Sequence, residues 1–155
     1  MTRAPGAHTV ERALDIAAPA EWLFDLTQDY ARRLDWDPFL VEATLRGGST
    51  AGVGVRAWCV SKFPRWGMET EYVTFTRPTV VAIQMTSGPR VLKRFAGSWR
   101  FTARSPVLTT VTFRYRFETS PALVAPIAAR MFTWDIGKRL AGLRDYATRH
   151  APRRA

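Results

Sequence analysis

The stretch that most limits how this chain can fold is its C-terminal one, from Ser120 to Arg149. Ser120-Pro121 reads as a helix start: the serine can cap free backbone N–H groups, and a proline at the first helical position gives up nothing by lacking its own. Pro126 follows and should kink or loosen the first turn, so the regular helix runs from about that residue. Beyond it Ala129, Phe132, Ile136, Leu140, Leu143 and Ala147 recur at helical spacing and line up one apolar stripe, while Lys138, Arg139, Arg144, Asp145 and Arg149 fall off it. Pro152 stops the helix. At 1.5 Å of rise per residue it spans roughly 36 Å, enough to cross a small domain. Leu123, Ile127, Met131 and Trp134 add a second apolar face to its first half, which is therefore expected to be covered on both sides.

The rest of the chain alternates. Residues 8–16 set Val10, Leu14 and Ile16 against Glu11 and Asp15, a first strand. Ala18-Pro19-Ala20-Glu21 then opens a helix whose apolar face is Trp22, Leu23, Leu26 and Tyr30. A second short helical segment, within Arg32–Phe39, breaks at Asp37-Pro38 because a residue before proline avoids helical angles. Strands follow at Val41–Arg46, Val53–Phe63, Met68–Thr76, Val80–Thr86, Gly97–Arg104 and Thr110–Thr119, separated by Gly- and Pro-containing turns. An antiparallel sheet with one apolar face needs a cover, and the long helix is the element able to supply it.

Composition excludes several classes. The length of 155 residues suits one domain with a sizeable core, taken here as 1–155 with its core at about 8–149. A single cysteine, Cys59, leaves no internal disulfide, the first residues lack the apolar core of a signal peptide, and no apolar run approaches a membrane span. The expectation is a cytoplasmic protein. Net charge is +10, from 23 basic and 13 acidic residues. The arginines are scattered without an aromatic stacking platform, so a specific nucleic-acid site is not expected. Arg100, Arg104, Arg114 and Arg116 form a positive stripe on the outer face of the last strands. Solvated surface is the plain reading of that stripe, and peripheral contact with an anionic membrane is the functional alternative.

Few constellations suggest chemistry. Glu69 and Glu71 share a strand face but suit solvent and arginine partners better than acid–base work, since Thr70 and Tyr72 take the inner face. His8 and His150 sit near opposite termini, so neither a metal site nor a histidine-activated Cys59 is expected. Gly52-Val53-Gly54 lacks the length and following helix of a phosphate loop.

This order of elements, with the opening Ala17-Ala18-Pro19-Ala20-Glu21-Trp22-Leu23-Phe24-Asp25, Trp36-Asp37-Pro38, the Ser87-Gly88-Pro89 turn and the terminal helix, resembles the START-like (SRPBCC) superfamily, and its polyketide cyclase/dehydrase branch in particular. The resemblance implies an α+β helix-grip fold: a curved antiparallel sheet around a long C-terminal helix, two short helices after the first strand, and a deep cavity for a hydrophobic or aromatic ligand, with no cofactor. The branch's aromatase/cyclases place aromatic and small polar residues where Trp36, Thr70, Tyr72, Trp99 and Tyr115 stand in this sequence. Their middle-strand arginine has no counterpart here, where Thr74-Phe75-Thr76 occupies the region. Buried tyrosine and tryptophan need partners for their polar ends, so four of them on inward faces favour a lined pocket. Ile127 and Met131 complete the expected binding set at the cavity mouth, beside the loosened helix start. Trp99 is expected to border the cavity, and Phe132 to pack directly on the sheet. Two functions remain: binding or transfer of a small hydrophobic, aromatic or lipid-like molecule, or a polyketide aromatase/cyclase or dehydratase in which Tyr72 or Tyr115 moves a proton. No residue is assigned a catalytic role.

Overall fold

Alternation along the chain becomes a seven-stranded sheet in the computed structural model, which describes residues 6–153. Met1–Pro5 and Arg154–Ala155, and with them the expectation about a leader, lie outside the described residues. The strands are β1 (His8–Ile16), β2 (Leu40–Arg46), β3 (Arg56–Ser61), β4 (Gly67–Thr76), β5 (Val80–Ser87), β6 (Leu92–Ser105) and β7 (Leu108–Thr119). Helices α1 (Ala20–Gln28) and α2 (Arg33–Trp36) separate β1 from β2, and α3 (Ala125–His150) closes the chain.

The spatial order is β1-β7-β6-β5-β4-β3-β2, every pairing antiparallel. Strands β2 to β7 form a meander of short turns, whereas β1 pairs with the last strand, Val10 opposite Tyr115 and Glu11 opposite Arg114. The first two strands are thus at opposite edges, and the α1–α2 segment must travel between them. Register irregularities interrupt the ladder at Leu40/Glu42, Glu69/Thr70, Tyr72/Thr74 and Leu92/Arg94. Such bulges bend strands and raise their twist, and the sheet curves around α3 as a helix grip. In β7 the expected inner set, Val111, Phe113, Tyr115 and Phe117, is buried while Arg114 and Arg116 are exposed. Outside the curve Glu69 lies 2.9 Å from Arg46 and 3.6 Å from Arg56, as its outward face requires.

Three local expectations change. Ser120 does not cap the helix: Pro121 leads into a short 3₁₀ turn, Ala122–Val124, and the α-helix begins at Ala125. Pro126 therefore falls in the first α-helical turn, where its absent N–H would have had no partner, and it costs the helix little. Strand β6 starts at Leu92 instead of Gly97, since Leu92 and Phe95 carry the inward pattern back through the glycine. The third change concerns the second apolar face of α3. Leu123, Ile127 and Trp134 are exposed, Ile127 by 64%. At about 100° per residue they lie opposite the arc of Ile136, Leu140 and Leu143 that meets the sheet. A sheet that grips a helix covers one side of it. Among the described residues no helix is long and apolar enough to cross a membrane.

Candidate ligand cavity

Where the first half of α3 stands over the sheet, a cavity of about 130 Å³ remains. Its floor is made by inward positions of the strands: Thr70 and Tyr72 from β4, Phe95 and Trp99 from β6, Phe113 and Tyr115 from β7. Phe132 and Arg139 of α3 and Arg33 of α2 close it from the other side. The aromatic rings support one another. Trp99 stacks on Phe113 with centroids 3.8 Å apart, and Phe132 leans edge-on against Tyr115 at 5.3 Å and Phe117 at 4.9 Å.

Two polar clusters face this space. The first is built on Tyr72, whose hydroxyl donates to Gln28 Oε1 at 2.6 Å and lies 3.2 Å from the Tyr30 hydroxyl. Gln28 is fixed in turn by its own N–H bond to Thr27 Oγ1, 3.0 Å away. The second is centred on Asp37. Its Oδ2 accepts from Arg33 Nε and from Arg139 Nε, each at 3.0 Å, and lies 2.9 Å from Arg139 Nη2 in the same ion pair, while its Oδ1 accepts from the Phe39 N–H at 3.0 Å. Arg33 Nη1 donates to the Thr27 carbonyl at 2.8 Å, and Arg139 Nη1 donates to the Tyr115 hydroxyl. Each guanidinium also lies against aromatic faces. Arg33 is 4.8 Å from the Trp36 ring and 5.8 Å from Trp99, and Arg139 is 5.1 Å from both Phe39 and Phe113.

Ionisation follows from burial and these neighbours. Burial alone would raise the Asp37 carboxyl, but Arg139 and then Arg33 overcome it and hold the group below the usual carboxylate range. Both guanidiniums are disfavoured by burial and held charged by Asp37. The Tyr115 phenol is pushed up to about 12 by burial, against the pull of Arg139. Burial likewise raises Tyr72, Tyr30 and the Cys59 thiol. At neutral pH all of them are protonated, so they can donate hydrogen bonds but are not bases or thiolate nucleophiles. Asp135, one turn before Arg139, is raised by burial to about 6, with Arg139 opposing. Among the described residues no three His, Cys, Asp or Glu side chains gather as a metal site would need.

The structure brings together four of the seven expected binding residues: Thr70, Tyr72, Trp99 and Tyr115 all line the cavity. Trp36 does not. It stands behind Trp99, 6.0 Å away edge to face, and its buried indole N–H has no partner. Ile127 and Met131 are not at the cavity, because the residue α3 turns inward at that level is Phe132. Phe132, expected as packed core, both rests on the sheet and borders the space, and Trp99 is the more tightly enclosed of the two. Sequence reasoning missed Arg33, Asp37, Arg139 and Gln28. The signal for Arg139 was its position beside Leu140 and three residues after Ile136, inside the buried arc, but a charged residue there is read as surface by default.

The match to a family model described as polyketide cyclase/dehydrase and lipid transport runs over residues 7–148. Solved structures with the same fold include norcoclaurine synthase from Thalictrum flavum in complex with dopamine and hydroxybenzaldehyde (TM-score 0.74, 12% identity, covering 94% of this chain and 89% of that one). A START superfamily protein from Mycobacterium smegmatis matches with TM-score 0.79 and 11% identity, over 92% of this chain and 98% of that one. The Zhui aromatase/cyclase from Streptomyces sp. R1128 matches with TM-score 0.77 and 15% identity, over 92% and 94%. A sequence search of curated proteins returned no significant match.

Proposed function

The chain belongs to the polyketide cyclase/dehydrase and lipid-transport family, and on that premise we propose that it binds a small aromatic molecule of about one ring in the cavity between sheet and α3. The size and lining of the cavity carry this reading. About 130 Å³ walled by Trp99, Phe113, Tyr115 and Phe132 is close to the ~150 Å³ known to admit a benzene ring in an engineered protein cavity. A long acyl chain or a fused polycyclic system would need the first half of α3 to move outward. The single-ring compounds in the norcoclaurine synthase complex are of matching size. Thr70, Tyr72 and Tyr115 offer polar points that would orient a substituted ring.

Turnover in the same cavity is the second reading, and one observation favours it. The Tyr115 oxygen accepts from Arg139, which leaves its own proton free to donate to a ligand carbonyl, with a guanidinium behind it to stabilise charge as it develops. A cyclisation or dehydration would also need a base, and the raised phenols and thiol do not supply one.

Tryptophan fluorescence tests the binding reading, because Trp99 lines the space. Titration with 4-hydroxybenzaldehyde should quench it saturably, and a three-ring analogue should not. Phe132→Trp, which places more volume in the cavity, should weaken the single-ring ligand. Absence of saturable binding by any single-ring compound would overturn the reading.

A further inference from the structure

We propose that the ligand carries a carboxylate, and that Arg33 and Arg139 form the subsite that receives it: the cavity takes a single-ring aromatic carboxylate. This rests on the aromatic-ligand reading above and adds the chemistry of the group that anchors the ring.

Charges within the cluster do not balance. Two guanidiniums share one carboxylate: Oδ2 accepts from the Nε of each and lies 2.9 Å from Arg139 Nη2, and Oδ1 accepts from the Phe39 N–H. One negative charge serves both cations. Arg33 lines the cavity with its Nη2 group making no hydrogen bond among the described residues. Burying a cation in excess of its counter-ions is costly unless a further anion or a full set of hydrogen bonds compensates it. The faces of Trp36, Trp99, Phe39 and Phe113 ease that cost but carry no net charge. A carboxylate would supply the missing charge, and a planar guanidinium fork receives a planar carboxylate better than it receives a spherical ion. The free proton of Tyr115 would add a donor to the same group.

The other charged and titratable groups around the cluster do not fill this role. Tyr30, Tyr72 and Cys59 are neutral, Glu42 is exposed on β2, and Lys138 lies on the exposed side of α3. Asp135 is the exception. It sits one turn from Arg139 without lining the cavity, so when ionised it competes with a bound anion for the charge of Arg139. Carboxylate affinity should therefore rise as pH falls toward 5.5, and binding near pH 6 should take up protons as the anion drives Asp135 toward its acid form.

Calorimetry with a matched pair tests this: 4-hydroxybenzoate and 4-hydroxybenzaldehyde share the ring and differ in the charged group. The carboxylate is expected to bind about tenfold tighter, the margin of a charge-assisted over a neutral hydrogen bond. Its enthalpy at pH 6 should depend on the ionisation heat of the buffer, while that of the aldehyde should not. Arg33→Gln should cost the benzoate about tenfold more affinity than it costs the aldehyde, so that the two compounds bind alike. Equal affinities in the unaltered protein, or no proton uptake with the benzoate, would overturn the carboxylate subsite while leaving the aromatic cavity standing. Failure of both compounds to bind would instead sink the cavity reading itself. The matched pair needs no variant, so the comparison still decides the matter if the Arg33→Gln protein misfolds.

Discussion

The two halves of α3 belong to one continuous helix and meet the protein in opposite ways. From Asp135 onward the helix buries Ile136, Arg139, Leu140, Leu143 and Ala147. At Gly142 it runs so close to α2 that a Cβ would stand 2.4 Å from the Trp36 carbonyl oxygen, which only glycine allows. Before Asp135, Ala125 alone is buried, and Leu123, Ile127, Met131 and Trp134 are open to solvent. The first half reaches the sheet mainly through Phe132, and beneath it lies the cavity. The helix is therefore an anchor over one half and a roof over the other. A close-packed interior leaves space only where an element is held from elsewhere. Here the Asp37–Arg139 tether and the Leu140–Leu143 contacts hold the helix, and the first half can span a space that it does not fill.

Breaking the anchor should have the largest effect. Asp37→Asn removes the charge that holds two buried guanidiniums, and the cost expected is about 3–5 kcal/mol, read from denaturant unfolding at pH 7. The sign of the pH dependence follows from the depressed carboxyl. Its contribution is present above the ordinary value of 3.8 and is lost as pH falls through the lower folded-state value. A loss under 1 kcal/mol at pH 7 would mean that the tether is ornamental and the anchor purely apolar.

The apolar part of the comparison is tested by a pair. Leu143→Ala should cost about 2–5 kcal/mol, since the side chain is fully enclosed and leaves a void. Ile127→Ala should fall within about 0.5 kcal/mol, as for other exposed positions, at the same pH and denaturant. Comparable losses at the two sites would show that something covers the outer face of α3 in solution. Exchange of backbone amides sharpens the same contrast without a mutation. Residues 121–131 should exchange faster than 136–147, because the early turns have few buried contacts to break before they open. Equal protection along the helix would remove the roof as a route for ligand.

This contrast also marks what could be read from the sequence. Strand alternation gave the inner faces directly, so Thr70, Tyr72, Trp99 and Tyr115 could be placed from the residue pattern alone. In β7 the pattern of Val111, Phe113, Tyr115 and Phe117 needed no outside help. Helical periodicity put the stripe of Phe132, Ile136 and Leu140 on the sheet, where it lies, but the second apolar face of early α3 was expected to be covered, and Ile127 and Met131, expected at the cavity mouth, face away from it. The charged cluster was hidden for another reason. Asp37 and Arg139 are 102 residues apart and become mutual partners only when α3 crosses the end of α2. Taken singly, each looks like a surface residue or a turn former. Burial of a charge is a property of the pair, and one-residue reasoning does not see it.

An effect smaller than that of either anchor variant lies at the boundary between anchor and roof, at Asp135. Asp135 is a buried residue whose carboxyl keeps some contact with water and makes no hydrogen bond among the described residues, and burial raises it from 3.8 to about 6 while Arg139 pulls the other way. The folded state therefore holds a proton in a range where the unfolded chain has already released one. Stability must fall as pH rises from about 4 through 6, and the full penalty applies above that. Asp135→Asn keeps the shape and cannot ionise, so it escapes the penalty but forgoes the attraction to Arg139. Since burial is the larger cause, the balance favours the amide. The variant should match the unaltered protein near pH 4.5 and exceed it by on the order of 1 kcal/mol at pH 7.5, a figure reduced because part of the carboxyl reaches water. Denaturant unfolding of both proteins at the two pH values reads the difference directly. A variant that is less stable at pH 7.5 would show that Asp135 serves Arg139 as a second counter-ion, and the anchor would then begin one turn earlier than its packing suggests.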